Sequence, residues 1–200
     1  ARHPAILDAV SAAFKTKNIL LYNTALYARL PRKSLVTQMG LGWHTDGHQL
    51  FSRLTPMDRV HYVTAFVALT QCDREHGCVR MRPTRTGGQV SDEEVDVELC
   101  PGEFSLHGPS TLHTGILNTS DETRYCVALR YIRASTRDEW ADHRGRDCAI
   151  LVSGEDKKNF ELIEPVPEEA TEKGKLLREA VVKRRGFGPA SWPTHGELCG

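Results

Sequence analysis

His44 and Asp46, in the stretch Leu41-Gly42-Trp43-His44-Thr45-Asp46-Gly47, set an imidazole and a carboxylate two positions apart. On an extended strand residues i and i+2 leave the same face, so the two groups can converge on one point. A borderline-to-hard divalent ion such as Fe(II) accepts imidazole nitrogen and carboxylate oxygen together, and two histidines plus one carboxylate on one octahedral face leave positions open for other ligands. The second histidine has to come from downstream. His113, in Leu112-His113-Thr114-Gly115, is the first choice and His107 the second. Arg124 follows His113 on the next strand, where its planar fork of donors suits a carboxylate that lysine would meet only as a point charge. Each of these residues alone has a plainer reading: a surface H-x-D, a lining or capping His107, and an Arg124 paired with Asp121 or Glu122.

Such groups need a scaffold, and the composition supplies one. The chain has 200 residues, 40% hydrophobic and 26% charged, enough for one domain with a sizeable core. Lys+Arg and Asp+Glu number 26 each, so no whole-chain field points to nucleic acid or an anionic membrane. The six cysteines (Cys72, Cys78, Cys100, Cys126, Cys148, Cys199) form no C-x-x-C pair. They suggest neither a disulfide framework nor zinc, and point to a reducing, cytoplasmic setting. No apolar run approaches membrane-spanning length, and Ala1-Arg2-His3-Pro4 carries no signal-peptide pattern.

In chain order, Ile6, Leu7, Val10, Ala13 and Phe14 recur at helical spacing behind Pro4, a residue suited to a first helical turn. Residues 18–30 read as a buried strand or a helix, with strand preferred, and Pro31 ends the segment either way. Val60 to Leu69 and the alternating run at Val79 and Met81, separated by a polar turn at Asp73 to Gly77, look like a hairpin. Val95, Val97 and Leu99 alternate with polar residues before Pro101-Gly102, and Tyr125, Val127, Leu129 and Tyr131 alternate after Arg124. Short strands broken by Gly and Pro turns predict a sandwich or barrel. Glu168 and Glu169 ahead of Leu176, Leu177, Ala180 and Val181, with Lys183, Arg184 and Arg185 behind, predict a carboxy-terminal helix before a Gly/Pro-interrupted tail. The remaining histidines, including His61 and His76, read as structural or surface groups, and His48 as a loop residue near the mouth of the site.

The motifs resemble those of the phytanoyl-CoA dioxygenase family of Fe(II)- and 2-oxoglutarate-dependent oxygenases. Trp43-His44-Thr45-Asp46-Gly47 is similar to the family's W-H-x-D-G. His113-Thr114-Gly115-Ile116-Leu117-Asn118-Thr119-Ser120 followed by Arg124, and then Leu129-Arg130-Tyr131, resembles its distal half. Ala65-Phe66-Val67-Ala68-Leu69 through Gly77-Cys78-Val79 resembles its central segment, with Phe66 where an aromatic residue often lies beside the cosubstrate. The likeness spans about residues 35–133. It implies a double-stranded β-helix, a jelly-roll barrel with a core at about 18–133, and a helix and tail at about 134–200. It also implies Fe(II) on His44, Asp46 and His113, with 2-oxoglutarate held by Arg124 beside Phe66 and O2 as the second cosubstrate.

Two departures stand out. Pro83-Thr84-Arg85-Thr86 replaces the family's P-G-S/T-H, and only 43 residues precede His44. One cosubstrate contact is left without a match, with Tyr27 and Lys33 as candidates. The resemblance implies decarboxylation of 2-oxoglutarate to succinate and CO2 coupled to hydroxylation of an unactivated C–H bond in a small-molecule substrate. Relatives that halogenate have Ala or Gly where Asp46 stands, so hydroxyl is the expected group delivered. The alternatives are a non-catalytic metal-binding jelly roll, which the intact ligand set opposes, and a zinc-type hydrolase, for which no general base stands at a recognisable spacing.

Overall fold

The computed structural model describes residues 1–31, 42–49, 53–83, 89–139 and 146–163. The expected carboxy-terminal helix and tail, Lys33 and Arg85 lie outside the described residues, as does the side chain of His48. The described elements are α1 (Pro4–Phe14), β1 (Ile19–Arg29), α2 (Asp46–Gln49), β2 (Leu54–Thr55), β3 (Tyr62–Ala68), β4 (Val79–Arg82), β5 (Val95–Val97), β6 (Phe104–His107), β7 (Leu112–Gly115), β8 (Arg124–Arg133), β9 (Arg137–Asp138), β10 (Cys148–Ser153) and β11 (Glu161–Leu162). The fold is mainly β, as expected, and of jelly-roll type. A six-stranded sheet runs β11-β10-β1-β8-β3-β6, a three-stranded sheet runs β5-β4-β7, and β2 pairs with β9. Strands continue past residue 133, where β10 joins the edge of β1. None of the described helices is long and apolar enough to cross a membrane.

The first helix forms where its periodicity put it. Pro4 opens α1, and Ile6, Val10 and Phe14 bury one face against Val63 and Ala65 of β3 and Leu129 and Tyr131 of β8. Full burial of such side chains contributes about 1.5–3 kcal/mol each, so α1 seals the outer face of the large sheet. Lys15 ends it in the left-handed region at φ 53.

The expected hairpin of residues 60–82 is corrected. Both strands exist, but β3 lies between β8 and β6 in the large sheet while β4 lies between β5 and β7 in the small one. The polar turn is a crossover between sheets. It is held by Cys72, which exchanges backbone hydrogen bonds with Leu99 at 3.0 and 2.9 Å, and by Asp73, which accepts from the backbone and Nδ1 of His76.

Period-two alternation gives the large sheet an inner face opposite α1. Register places Asn23, Ala25, Tyr27 and Arg29 of β1 beside Arg130, Ala128, Cys126 and Arg124 of β8. Thr64, Phe66 and Ala68 of β3 lie beside Arg130, Ala128 and Cys126, and His107 and Ser105 of β6 beside Thr64 and Phe66. Two apolar clusters occupy this layer. One contains Leu20, Leu54, Tyr62, Ile132 and Phe160; the other joins Phe66, Ala68, Cys126 and Ala128 to Cys78 and Val79 from the small-sheet side. Between them runs a polar rung, His107, Thr64, Arg130 and Asn23, where a sandwich core would ordinarily be apolar.

Candidate metal centre

His44 and His113 meet as an antiparallel bridge at the edge of the small sheet. Each backbone N–H donates to the other's carbonyl, at 3.0 and 2.9 Å, and the rings lie 4.3 Å apart. Asp46 does not continue a strand, which corrects the expected extended geometry. It starts the single-turn α2, so its carboxylate meets the imidazoles from a helix start and not from the face of a strand. Gly47 secures the turn through its N–H to Pro109 O at 3.0 Å. A side-chain carbon at Gly47 would approach Pro109 to 3.2 Å, so a larger residue there would require Pro109 to give way by a few tenths of an ångström. Trp43 is set at the rim under the Arg82 guanidinium, 4.5 Å from the ring centre.

One donor atom from each of His44, Asp46 and His113 lies within 4.8 Å of the others. Nδ1 of His44 bonds Gly42 O and Nδ1 of His113 bonds Thr111 O, both at 2.8 Å. A ring nitrogen facing a carbonyl must carry the proton, so each Nε2 keeps its lone pair. Burial, and next to it the neighbouring His107 imidazole, push His113 down to about 4. The ring is therefore neutral at pH 7, the form a metal needs.

Asp46 is 1% exposed. Burial works to raise its carboxyl, but the adjacent His107, the charge of Arg130 and the Thr64 hydroxyl outweigh this and hold it well below the usual range. Thr64 Oγ1 donates to Oδ2 at 2.7 Å, and the Tyr62 phenol, kept protonated by burial and by Asp46 itself, approaches at 3.4 Å. Arg130 stands 3.5 Å from Oδ1 and is braced by Tyr27 Oη at 3.1 Å and Asn23 Oδ1 at 3.3 Å. Reading the sequence missed Thr64, Tyr62 and Arg130. Their signal was parity, since Arg130 shares the face of Arg124 along β8 and Thr64 that of Phe66 along β3.

His107 is buried beside the triad without joining it. Its ring is 4.8 Å from that of His113 and its Nε2 is 3.8 Å from Asp46 Oδ2. Arg124 is 3% exposed, 5.8 Å above the Phe66 ring, and Tyr27 lies against that ring at 6.2 Å. Neither Asp121 nor Glu122 forms an ion pair with it; the turn before it is instead fixed by buried Asn118, whose amide donates to the carbonyls of Arg29 and Glu122. Among the described residues, buried side-chain atoms without a hydrogen-bond partner include Asp46 Oδ1, Ser105 Oγ, both ring nitrogens of His107, and Arg124 Nε and Nη1. Ser105, His107 and Arg124 occupy the inner face, and Asp46 packs against it. Such atoms cost about 1–3 kcal/mol each when left unpaired, and more when charged, so their concentration here fits a bound cation and a bound polyanion.

Residues 1–126 match the model of the phytanoyl-CoA dioxygenase (PhyH) family. The chain belongs to this family. It is thus an Fe(II)- and 2-oxoglutarate-dependent oxygenase, with O2 as the other cosubstrate, and the triad and Arg124, whose Nε and Nη1 lack acceptors, fit those groups. Among solved structures it is similar to the non-heme monooxygenase ThoJ in complex with Ni, with 27% identity and a TM-score of 0.78, covering 92% of this chain and 71% of that one. CytC3 with Fe(II) and alpha-ketoglutarate shares the fold at 19% identity and a TM-score of 0.60, covering 80% of this chain and 67% of that one. So does the alpha-ketoglutarate-dependent epimerase SnoN from nogalamycin biosynthesis, at 20% identity and 0.56, covering 68% and 56%. No curated protein matches the chain.

Proposed function

We propose that this oxygenase hydroxylates an unactivated C–H bond of a small molecule, with iron on His44, Asp46 and His113 and the far carboxylate of 2-oxoglutarate on Arg124. The observation that carries the reading is the grouping of the unpaired buried polar atoms around one metal-competent triad. The metal with its 2-oxo acid supplies oxygen activation coupled to decarboxylation of the cosubstrate to succinate and CO2.

The chain's own residues do the positioning. Gly42 and Thr111 carbonyls aim the two imidazoles, and Thr64 and Arg130 fix the plane of the Asp46 carboxylate. Arg124 orients the cosubstrate along the inner face, where Ala68, Ala25 and Ala128 leave room and Phe66 forms a flat apolar wall that excludes water. The carboxylate of Asp46 fills a coordination position that a halide would otherwise take. Product mass should therefore rise by one oxygen and be indifferent to added chloride or bromide.

The reading is tested without a substrate. Anaerobic protein given Fe(II) and 2-oxoglutarate should develop the weak visible charge-transfer band of a chelated 2-oxo acid, and His113→Ala should abolish it. A band that survives His113→Ala and disappears in His107→Ala would move the ligand role to His107.

A further inference from the structure

We propose that His107 donates a hydrogen bond to the metal-end carboxylate of the cosubstrate, on the oxygen that the metal leaves free. This rests on the assignment of iron to His44, Asp46 and His113 above.

His107 ends β6 and pairs with Thr64 of β3 across the inner face. Only 4% of its side chain is exposed, yet both ring nitrogens are buried without a hydrogen-bond partner. An unmet nitrogen in such a place costs about 1–3 kcal/mol, which an apolar side chain would avoid. The ring also lies against two of the three metal ligands. Its centre is 4.8 Å from that of His113, and its Nε2 is 3.8 Å from Asp46 Oδ2. That separation is beyond hydrogen-bond reach, and Oδ2 already accepts from Thr64 Oγ1 at 2.7 Å. A partner placed beside both ligands would itself sit at the metal.

The same strand indicates which molecule that partner belongs to. Ser105, two residues back on the same face of β6, also buries an unmet hydroxyl oxygen. It lies beside Phe66, over whose ring Arg124 holds its guanidinium at 5.8 Å. The unmet atoms thus form a row from the triad along Phe66 to the residue assigned to the far carboxylate. One molecule with a carboxylate at each end fits that row, and 2-oxoglutarate has that form. A carboxylate that gives one oxygen to a metal keeps the other for a donor, and a histidine ring outside the coordination sphere has at least one N–H to give.

The test uses anaerobic protein and compares 2-oxoglutarate with 2-oxopentanoate, which keeps the 2-oxo acid end but carries a methyl group in place of the far carboxylate. Fe(II) affinity is read by calorimetry and binding of each acid by the charge-transfer band. His107→Phe should bind Fe(II) as the parent does and lose about 10-fold in affinity for both acids alike, the loss of one charged hydrogen bond. Its band should move to shorter wavelength, because a donor on the chelated acid lowers the acceptor orbital and removing it raises that orbital again. His107→Gln, which keeps an N–H, should return the band toward the parent position, and His107→Leu serves if the Phe variant does not fold. An unmoved band in the nitrogen-free variants overturns the proposal. Weakened Fe(II) binding would then make His107 a brace for Asp46, and an altered electron paramagnetic resonance spectrum of the nitric oxide complex would put its donor on the O2 position. If instead His113→Ala leaves the band intact, iron is not held by the triad and the reading beneath the proposal falls first.

Discussion

Arg53 and Arg124 are both buried arginines, 7% and 3% exposed, yet their surroundings differ. Arg53 donates to Asp147 and, at 3.2 Å, to Tyr22 Oη, and its Nε lies 3.6 Å from Asp138. Tyr22 in turn donates to Asp147 at 2.6 Å, and Asp147 Oδ1 accepts the Cys148 N–H. Nothing in that cluster is left unpaired. Arg124, on the opposite side of the polar rung, leaves Nε and Nη1 without an acceptor. A closed network spends its polar valence on holding β1, the β2 end and β10 together, whereas an open one keeps that valence for something that arrives. The comparison predicts which substitutions damage the fold and which damage binding.

The largest effect belongs to the open side. Removing a ligand with His113→Ala should eliminate Fe(II) binding in anaerobic calorimetry while the melting temperature of the metal-free protein stays near the parent's. On the closed side Arg53→Met should do the reverse. Stripping one partner from a buried ion pair costs about 3–5 kcal/mol of stability, measured by urea unfolding, with metal affinity in the surviving folded protein unchanged. Equal losses of both properties in both variants would dissolve the distinction.

Much of this was legible in the sequence where chemistry is local. The Trp43 to Gly47 stretch and the His113 to Arg124 spacing singled out three side chains that the fold brings together and a buried arginine beside them, and α1 followed from its periodicity, whereas residues 18–30 read as strand or helix. What escaped was non-local. A hairpin and a sheet-to-sheet crossover read alike at residues 60–82, because the true pairing partners lie elsewhere in the chain, such as Ile132 for Tyr62 of β3 and Val97 for Val79 of β4. Thr64 and Arg130 look like incidental polar residues in apolar strands until register sets them side by side under Asp46. The helix start at Asp46 was hidden because a four-residue element, Asp46–Gln49, is too short to show a periodicity of its own.

Acid should separate the regions next. His113 titrates near 4 in the folded protein against 6.5 ordinarily. Between those values the unfolded chain holds a proton that the folded chain does not, so stability of the metal-free protein falls as pH drops through that window, by at most about 3 kcal/mol. Urea unfolding at pH 7 and pH 4.5 should show the loss, and His113→Gln should flatten it. A slope unchanged by that substitution would assign the acid sensitivity to other groups. Smaller again is Arg124→Lys, expected to weaken 2-oxoglutarate by about 1.5–3 kcal/mol through loss of the two-pronged contact, with no change in melting temperature. Unchanged affinity in titration would mean that another cation holds the carboxylate.

The smallest test uses one hydroxyl from each region. Thr64 Oγ1 and Tyr22 Oη each donate to a buried aspartate, at 2.7 and 2.6 Å, and Thr64→Val and Tyr22→Phe delete the hydroxyl at nearly constant shape. In the closed network the deleted donor leaves Asp147 underpaired in both metal-free and metal-loaded protein, so Tyr22→Phe should cost about 1–2 kcal/mol of stability and nothing in metal affinity. In the open site the same deletion frees the plane of the Asp46 carboxylate. Groups that orient a ligand from behind typically contribute about 10- to 100-fold in metal affinity, and Thr64→Val should fall at the lower end, since Arg130 still stands beside Oδ1. Its effect should therefore appear in Fe(II) titration far more than in urea unfolding of the metal-free protein. If Thr64→Val destabilises that protein as much as Tyr22→Phe and leaves Fe(II) affinity untouched, Asp46 is a structural carboxylate like Asp147, and the two buried clusters differ only in how well they are paired.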